Sequence, residues 1–521
     1  MKKILKNILF ELDKKMYSNI HNTSREEKHL IDELIEFLND KRYLIVIDDI
    51  WNENVWQLIK CAFSKNSLGS RVIMTTRIFS VSEACCSSAG DIYRMKPLSN
   101  DVSRRLFYER VFSSDKGCPH ELMEVSKHIL KKCGGIPLAV ITIASLLANN
   151  HRMKPKDQWD TVLNSIGRGL TEDRSVIEMK KILLFSYYDL PSYLKPCLLY
   201  LSIFPEDHEI IRGKLILKWI SEGFVYSEEE ETSLYELGDY YFNELVNRSM
   251  IQPIGLDNEE KAKACRVHDM VLDLICSLAS EENFVTILDG TERKVPNSQS
   301  KVRRLSIQNS KVDVATISMT QVRSITVFTN DIVDQLQKIS SFQVVRVLDL
   351  GDCPILDTRT FLNLRYLRLN GDGVKDFPME IGKLQFLQVL DISGMSIKEM
   401  PPSVIRLRRL MYLHIGRGVK LPSGIGNLTS LEVLLGLEVG KFSSCGFNHH
   451  LVKELGHLTK LRVLRFLWGD LDGSTCRTLA KSLINLHKLE VLQNYVKGGC
   501  VDLMRVGWVP SPQIRRLRII G

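Results

Sequence analysis

The chain has 521 residues, a formal net charge of +8, and 44% hydrophobic and 25% charged residues. This length allows about two to four domains, and so mild a charge does not by itself indicate nucleic acid or a membrane surface as a partner. The 12 cysteines show no CxxC pair and no regular spacing. This pattern favours reduced thiols in a cytosolic or nuclear protein over a disulfide framework or a zinc site.

The first fifteen residues predict an amphipathic helix rather than a secretion signal, because polar residues interrupt the apolar stretch. Five apolar residues fall on one face of that helix: Ile4, Leu5, Ile8, Leu9 and Leu12. The longest apolar run, 134–148, contains Pro137 and is shorter than the roughly 20 residues of a bilayer-spanning helix. No membrane span is therefore predicted.

Residues 1–95 alternate helical and strand patterns, which predicts a parallel α/β sheet. We expect a helix over Glu27–Leu38, a buried strand over Arg42–Ile47 and a second strand over Ser70–Thr75. In "RYLIVIDDIW", Asp48 and Asp49 end the first strand, at the sheet edge where ligands bind. One carboxylate there can hold the water shell of Mg²⁺, although acidic residues also end strands as solvated turn formers.

Arg77 ends "GSRVIMTTR" and reaches the same sheet edge if the two strands are parallel. An arginine there can bind a terminal phosphate, and a surface loop arginine is an equal alternative.

Residues 96–176 predict a helical domain. Its helices are expected over Asp101–Val111, His120–Lys132, Ala139–Leu147 and Trp159–Asn164. In "CGGIPLAV", Gly135 belongs to a tight turn and Pro137 stands near a helix start. A simple junction between a loop and a core helix would show the same pattern.

Residues 177–285 are mostly helical, with a polar turn near Asp257–Lys263 between apolar stretches, a pattern compatible with a winged helix. "RVHDMVLDLI" puts His268 and Asp269 at a helix start, where we expect the carboxylate to be the N-terminal cap. His268 taken singly is more typical of a structural residue than of a ligand. Residues 286–300 are expected to be a linker.

Residues 301–521 carry a repeat that reads apolar-x-x-apolar-x-apolar. Ten segments match: VRRLSI, VRSITV, VRVLDL, LRYLRL, LQVLDI, LMYLHI, LEVLLG, LRVLRF, LEVLQN and IRRLRI. Each predicts a short strand that must stack on its neighbours, so the region is expected to be a leucine-rich-repeat solenoid with a binding surface. Arg346, Arg365 and Arg368 are candidates for a basic face, or solvated arginines.

The ordered set "LIVIDDIW", "GSRVIMTTR", "CGGIPLAV", "LYLSIFPED" and "VHD", followed by the repeats, resembles the plant NLR immune receptors. These are nucleotide-binding leucine-rich-repeat proteins of the STAND ATPase class. A tryptophan directly after the aspartate pair and one further residue, here Trp51, is similar to the sequence of the branch that carries an N-terminal coiled coil. The resemblance implies a multidomain fold of α/β and α domains. Its parts are a partial P-loop NTPase α/β sheet, a helical domain, a winged-helix domain and a C-terminal leucine-rich-repeat solenoid.

The resemblance also implies an ADP/ATP and Mg²⁺ site. By position, Asp48 would coordinate Mg²⁺, Asp49 would support hydrolysis and Arg77 would read the terminal phosphate. Gly135 and Pro137 would line the adenine side. His268 would contact the ADP phosphate and hold the receptor off; in its motif, Val267 replaces the family's usual methionine. Implied partners are a pathogen effector or guarded host protein on the repeats, and an NLR oligomer in the intact family.

No Gly-x-x-x-x-Gly-Lys-Ser/Thr motif occurs in the sequence. We therefore expect a chain that starts inside the nucleotide-binding domain, without the phosphate loop and the coiled coil. Weak or absent ADP and ATP binding and no meaningful turnover follow, because backbone N–H groups and a lysine would be missing from the phosphate site.

Two other functions compete with that of an immune receptor. The first is a protein-interaction regulator or decoy whose nucleotide switch is lost. The second is a DNA-binding winged-helix regulator; its basic helix, 211–224, also carries Leu215, Ile216 and Trp219 as expected core residues, and nucleic acid is therefore the less favoured partner.

Overall fold

The structure is a computed structural model in which the chain forms two compact units, Met1–Pro97 and Leu98–Gly521. The residues it describes are 2–48, 50, 53–63, 68–76, 79–85, 92–93, 95–112, 118–148, 155–165, 175–227, 233–257, 261–289, 302–308, 320–329, 344–350, 361–371, 377–439, 449–468, 473–496 and 506–520. None of the helices in these ranges combines the length and the apolar content that a bilayer crossing needs.

The first unit alternates helices with two parallel strands. Its elements are α1 (Lys2–Leu12), α2 (Glu27–Leu38), β1 (Leu44–Ile47), α3 (Glu53–Lys60), β2 (Arg71–Met74) and α4 (Phe79–Cys85). The predicted helix over Glu27–Leu38 is confirmed, and so is the amphipathic helix at the start of the chain. Leu5 and Leu9 of α1 are fully buried in one core with Leu30 and Leu34 of α2.

The prediction that β1 is a buried strand is only half right. Ile45 and Ile47 are 7% exposed, whereas Leu44 is 66% and Val46 60% exposed on the opposite face. Successive side chains of a strand point to opposite faces, and among the described residues only one face of this sheet is covered. The continuous apolar run in the sequence, typical of strands covered on both faces, therefore does not reflect the burial observed here.

Helices fill the first part of the second unit, and the first four lie close to the predicted positions. They are α5 (Asn100–Phe112), α6 (His120–Cys133), α7 (Pro137–Leu147), α8 (Lys156–Ser165) and α9 (Ser175–Tyr188). Their aromatic core includes the fully buried Phe107 and Trp159, whose rings meet edge to face at 5.9 Å.

The winged-helix prediction is confirmed by the next group of elements. The helices are α10 (Leu194–Leu199), α11 (Arg212–Glu222), α12 (Leu234–Asn247) and α13 (Asp269–Glu281), and the strands are β3 (Ile210–Ile211), β4 (Gln252–Leu256) and β5 (Ala262–Arg266). The strands form an antiparallel sheet in the order β3-β5-β4. The N–H of Asp257 donates to the carbonyl of Lys261 at 2.8 Å, which closes the β4–β5 hairpin at the predicted polar turn.

An 11-stranded parallel sheet runs through the remainder of the second unit, in sequence order. Its strands are β6 (Thr286–Leu288), β7 (Arg304–Ile307), β8 (Ser324–Val327), β9 (Val347–Asp349), β10 (Tyr366–Gly371), β11 (Val389–Met395), β12 (Tyr412–Ile415), β13 (Val433–Val439), β14 (Val463–Trp468), β15 (Val491–Val496) and β16 (Arg516–Ile520). Two helices lie between later strands, α14 (His449–Leu455) and α15 (Gly473–Ile484).

All ten predicted repeat segments contain a strand, β7 to β16, so the solenoid prediction is confirmed. The leucines of the repeat are buried in one continuous core, for example Leu367, Leu390 and Leu413 on successive strands. The sheet begins earlier than expected. Thr286–Leu288, placed in the predicted 286–300 linker, pairs in parallel with β7, while residues 290–300 lie outside the described residues.

Candidate functional site

Asp48 lies at the carboxyl end of β1, as predicted for a magnesium ligand. Its side chain is exposed and accepts a hydrogen bond from the Thr75 hydroxyl, at the end of β2. The Thr76 hydroxyl donates to the carbonyl of Ile50 at 2.6 Å, which ties the same two strand ends together. β1 and β2 are parallel, so the structure places both strand ends at one sheet edge. Asp49 and Arg77, predicted for the same edge, lie outside the described residues.

Asp48 fits the part of a single carboxylate in a nucleotide-linked Mg²⁺ site. Mg²⁺ in such sites uses one or two carboxylates, and phosphates and water supply its other oxygens. Within the described ranges, no group of three or more His, Cys, Asp or Glu side chains is placed to hold a metal ion.

The Gly-Gly-Ile-Pro segment joins α6 to α7 through two left-handed residues. Gly134 has φ +58° and Gly135 φ +71°, a conformation that glycine adopts without steric cost. The carbonyl of Gly135 accepts a hydrogen bond from the N–H of Leu98 at 2.8 Å, and Pro137 is the first residue of α7. The predicted turn and helix start are confirmed. Burial raises the pKa of the adjacent Cys133 thiol to about 12, so this cysteine is a packing group and not a nucleophile.

His268, rather than Asp269, caps the N-terminus of α13. The backbone of His268 is extended (φ −65°, ψ 139°), and its Nδ1 accepts a hydrogen bond from the N–H of Met270 at 3.2 Å. Asp269 is the first residue of the helix. The expectation of a carboxylate cap was wrong. The first N–H groups of a helix have no acceptor within the helix, and here the ring nitrogen of His268, one residue before Asp269, accepts from one of them. With Nδ1 as the acceptor, the neutral ring carries its proton on Nε2.

Replacing His268 by alanine is expected to lower the free energy of unfolding by about 1 kcal/mol, because an N-cap acceptor is lost. His268→Asn retains a cap acceptor and should restore most of that loss in urea unfolding of the full chain. The asparagine variant also removes the imidazole, so ADP titration of the same protein separates a ligand role from the cap role. Equal stability of the alanine variant and the unmodified chain would contradict the cap role.

These residues fall in different units of the structure. Asp48 belongs to Met1–Pro97, and Gly135, Pro137 and His268 belong to Leu98–Gly521. Their joint role at a nucleotide remains a prediction.

Within the second unit, helix α11 lies against the strand face of the repeats. Leu217 of α11 packs among Val347, Tyr366 and Val389, which occupy equivalent positions on β9, β10 and β11. These side chains alternate with the leucines of the solenoid core, so they belong to the opposite face of the sheet. The described structure therefore places the winged-helix domain on that face of β9 to β11.

Buried charges of alternating sign cross this contact. Lys218, with 3% of its side chain exposed, pairs with Asp349 at 2.8 Å. Arg368 bonds Asp349 at 3.2 Å and lies 3.8 Å from Asp391, which is 3.8 Å from Lys214. Burial lowers the pKa of Lys214, and repulsion by Arg368 lowers it further against the attraction of Asp391. Since unpaired buried charges are costly, the ions fix how α11 sits on the strands.

Glu222, at the end of α11, forms a second buried pair with Arg304 of β7. The distance from Arg304 Nε to the carboxylate is 3.0 Å, and the two side chains are 8% and 1% exposed. The Arg304 guanidinium also lies 4.1 Å from the ring centre of Phe284 and 5.0 Å from that of Phe224. Farther along the repeats, Arg462 bonds Ser233 and Glu236 at the start of α12.

This contact between domains was not predicted from the sequence. Arg368 was expected to belong to a basic face or to be a solvated arginine, whereas it is partly buried between two aspartates. The signal was present in "VLDL" and "VLDI", which place a carboxylate at an alternate strand position beside apolar residues. A charge there needs a partner from another element, and the pattern does not say which one.

Comparison with known proteins agrees with this architecture. Family models match over residues 1–117 (NB-ARC domain), 203–275 (disease resistance protein winged helix domain) and 321–521 (leucine-rich repeat region). Disease resistance protein RGA5 of Oryza sativa subsp. japonica is 34% identical over 486 residues, 90% of this chain and 42% of that protein. Disease resistance protein Pik-2 of the same subspecies is 34% identical over 500 residues, 86% of this chain and 48% of that protein. Disease resistance protein RPP13 of Arabidopsis thaliana is 32% identical over 478 residues, 90% of this chain and 54% of that protein. The chain belongs to the NB-ARC and leucine-rich-repeat family of disease resistance proteins.

This disease resistance chain spans about half the length of the curated relatives it matches. Asp48 falls within its NB-ARC match and His268 within its winged-helix match. In disease resistance proteins the NB-ARC domain is a nucleotide-binding switch, and the leucine-rich repeats are an interaction domain.

Proposed function

We propose that this chain acts in plant innate immunity, as a receptor whose ADP/ATP-dependent switch is coupled to recognition by its leucine-rich repeats, with nucleotide binding weakened in this chain. The observation that carries the proposal is the contact of α11 with the strand face of the repeats. Helix α11 belongs to the winged-helix domain, and two buried ion pairs, Lys218–Asp349 and Glu222–Arg304, hold it there.

This contact supports coupling because the same strands would serve two purposes. A protein that binds the strand face of β9 to β11 competes with α11 for Val347, Tyr366 and Val389. Such a partner binds better to the form in which α11 has left the repeats. Its binding therefore favours separation of the repeats from the winged helix. The partner we propose is a pathogen effector or a guarded host protein, met in the cytoplasm or the nucleus, and assembly into an oligomer would follow in the intact receptor.

We assign the nucleotide contacts by resemblance and by fit. Asp48 offers an exposed carboxylate at the strand end for Mg²⁺, and His268 offers an Nε2–H donor for an ADP phosphate, since its Nδ1 is engaged as the helix cap. The assignments of Asp49 to hydrolysis, of Arg77 to the terminal phosphate, and of Gly135 and Pro137 to the adenine side rest on the resemblance alone. When bound, Mg²⁺ would neutralise phosphate charge.

Nucleotide affinity tests the switch in this chain. We expect the purified chain to bind ADP and ATP, with Mg²⁺, more weakly than micromolar and to show no meaningful turnover. The sequence offers no Gly-Lys-Ser/Thr loop, and each charged hydrogen bond lost weakens binding by about 1.5–3 kcal/mol. Calorimetric titration measures the affinity, and Asp48→Asn is the matched variant. Micromolar or tighter binding that Asp48→Asn abolishes would refute the expectation of weakened binding.

Two alternatives make different predictions. A switch-dead regulator or decoy would use the same repeats for partners, and a transcript that continues upstream into a Gly-Lys-Ser/Thr loop and a coiled coil would favour the receptor over it. A DNA-binding regulator needs the cations of α11 at a phosphate backbone. Lys218 is instead buried on Asp349, and Leu215, Ile216 and Trp219 are core residues, as the sequence predicted. The arrangement described here thus disfavours DNA binding through α11.

A further inference from the structure

A cavity of about 340 Å³ lies between the winged-helix domain and the strand face of the repeats. The winged-helix domain lines one side with residues of β3 and α11, and the repeats line the other side with Thr326, Asp349 and Arg368. These three residues are register partners on β8, β9 and β10. Ile211, also in the lining, is 49% exposed, so the cavity opens to solvent there. Sites for small molecules have volumes of about 300–1,000 Å³, so this cavity suits a ligand of small size.

The hydroxyl of Thr326 lines this cavity without a hydrogen-bond partner. Thr326 is 2% exposed, and its Oγ1 has no partner among the described residues. Ser306, its register partner on β7, differs, because its hydroxyl donates to the carbonyl of Ile203 at 2.5 Å. A buried hydroxyl without a partner is costly, so the Thr326 hydroxyl is a candidate contact for a bound molecule.

Helix α11 begins at the cavity with charges that its own dipole disfavours. Ile211, the residue before the helix, provides no side-chain acceptor for the free N–H groups of the first turn. That turn contains Arg212 and Lys214 and no acidic residue, although a helix N-terminus favours negative charge. Arg212 is paired with Asp239. Lys214 is held less closely, at 3.8 Å from Asp391, so an anion beside Lys214 would be stabilised by both the ammonium and the helix end.

The buried and partly buried ion network at the cavity has one cation in excess. Its cations are Lys214, Lys218 and Arg368, and its carboxylates are Asp349 and Asp391. Glu209 also lines the cavity, but it is exposed, so water screens its charge. Charge balance therefore favours a ligand with a single negative charge.

Three rings form an apolar wall of the cavity. The ring centres of Phe204 and His208 lie 5.4 Å apart in a stacked arrangement, and Phe328 meets His208 edge to face at 5.2 Å. Burial lowers the pKa of His208, so its ring is neutral at pH 7 and adds no cation. Aromatic groups pack well on such rings in offset or edge-to-face geometry, so the wall favours an aromatic ligand. Phe328 stands two residues after Thr326, which places this wall at the Thr326 end of the cavity.

We propose that this cavity binds a small aromatic carboxylic acid that carries a hydroxyl group at its far end. The carboxylate pairs with Lys214, the aromatic body packs on the ring wall, and the ligand hydroxyl bonds the Thr326 hydroxyl. Thr326 and Arg368 are two strands apart, about 10 Å, so a ligand of roughly that length spans the cavity. The ligand contacts both domains, and its binding therefore favours the arrangement in which α11 stays on the repeats. The site is separate from the nucleotide-contacting residues and does not depend on the proposed switch.

Calorimetric titration of the full chain with para-hydroxycinnamate, in the absence of nucleotide, tests this site. Lys214→Gln is expected to lower the affinity about tenfold or more, because a charge-assisted contact is removed. The matched control is Lys420→Gln, at a lysine of the solenoid that does not line the cavity. Its side chain is 41% exposed, against 34% for Lys214, and its ion pair with Glu399 is similarly long at 3.6 Å. The control should change the affinity less than about twofold.

Thr326→Val tests the other end of the ligand, because it removes the hydroxyl and nearly keeps the side-chain shape. It should weaken binding of para-hydroxycinnamate about fivefold and leave the affinity for cinnamate, which lacks the hydroxyl, unchanged. Circular dichroism checks that the variants fold. The uncharged amide of para-hydroxycinnamate should bind the unmodified chain about tenfold or more weakly than the acid, and this comparison needs no variant.

Four results would overturn the proposal. They are no saturable binding of para-hydroxycinnamate, binding of the amide as tight as that of the acid, an equal loss in Lys214→Gln and Lys420→Gln, and an equal loss of both cinnamates in Thr326→Val.

Discussion

Replacing Gly436 by alanine is expected to lower the free energy of unfolding of the second unit by roughly 2–5 kcal/mol, the sum of a left-handed backbone cost of about 1–2 and an overpacking cost of about 1–3. Gly436 has φ +84° and lies in β13, where the register with β14 shifts between Leu435 and Leu437. A Cβ at Gly436 would come within 2.0 Å of the carbonyl oxygen of Ile415, on the neighbouring strand. Because that oxygen belongs to the backbone, β12 and β13 must separate locally.

Gly507 provides the matched control for this substitution. Its φ is +89°, and apart from Gly507 itself and its two chain neighbours, no atom of the described structure lies within 4 Å of where its Cβ would be. Gly507→Ala therefore carries the backbone cost alone, about 1–2 kcal/mol. Urea unfolding of both variants, followed by circular dichroism, measures the difference. Equal losses at the two positions would show that the close approach to Ile415 contributes nothing.

The repeats were predictable because their signal is local. Each strand from β7 to β16 carries its own apolar residues at a fixed spacing, so every one of them was found from its own segment. Helix α2 was likewise predicted with the bounds that the structure shows, Glu27–Leu38, since an amphipathic period is contained in the helix itself. Thr286–Leu288 was missed as a strand because it lacks the repeat pattern and gains its place by pairing with β7.

The candidate site was only partly predictable. The position of Asp48 at a strand end follows from the order of apolar and acidic residues in one segment, and the structure places it there. Both residue types can accept a hydrogen bond from a helix N–H, so the sequence does not decide between His268 and Asp269 as the cap. The choice depends on the residue at which the backbone turns helical, and here the helix begins at Asp269. The burial of β1 depends on which elements cover the sheet, and a strand's own sequence does not contain that information.

The contact between the winged helix and the repeats could not be predicted in detail, because its partners are far apart in the chain. Glu222 and Arg304 are separated by 82 residues, and each stands in a segment with several other charges. Pairing between them follows only once α11 and β7 are placed together in three dimensions. The same holds for Lys218 and Asp349.

Replacing Arg304 by methionine is expected to lower the free energy of unfolding of the second unit by about 3–5 kcal/mol, since it leaves a buried carboxylate without its cation. Glu222 has 1% of its side chain exposed, and Arg304 is its one hydrogen-bond partner in the described part of the chain. The substitution also removes the guanidinium from the rings of Phe284 and Phe224. Arg408→Met, at an exposed position, is the matched control and should change stability by less than about 0.5 kcal/mol.

The double variant Glu222→Gln/Arg304→Met separates the ion pair from packing. If the cost of Arg304→Met arises from an unpaired charge, the double variant should recover most of it, because a neutral amide is far cheaper to bury than a carboxylate. Chemical unfolding measures the stability, and limited proteolysis between α11 and the repeats reports whether they separate first. Separation at the repeats, with the winged helix still folded, is the result that the proposed receptor requires. Loss of both together would mean that this contact stabilises one folding unit and does not act as a release point.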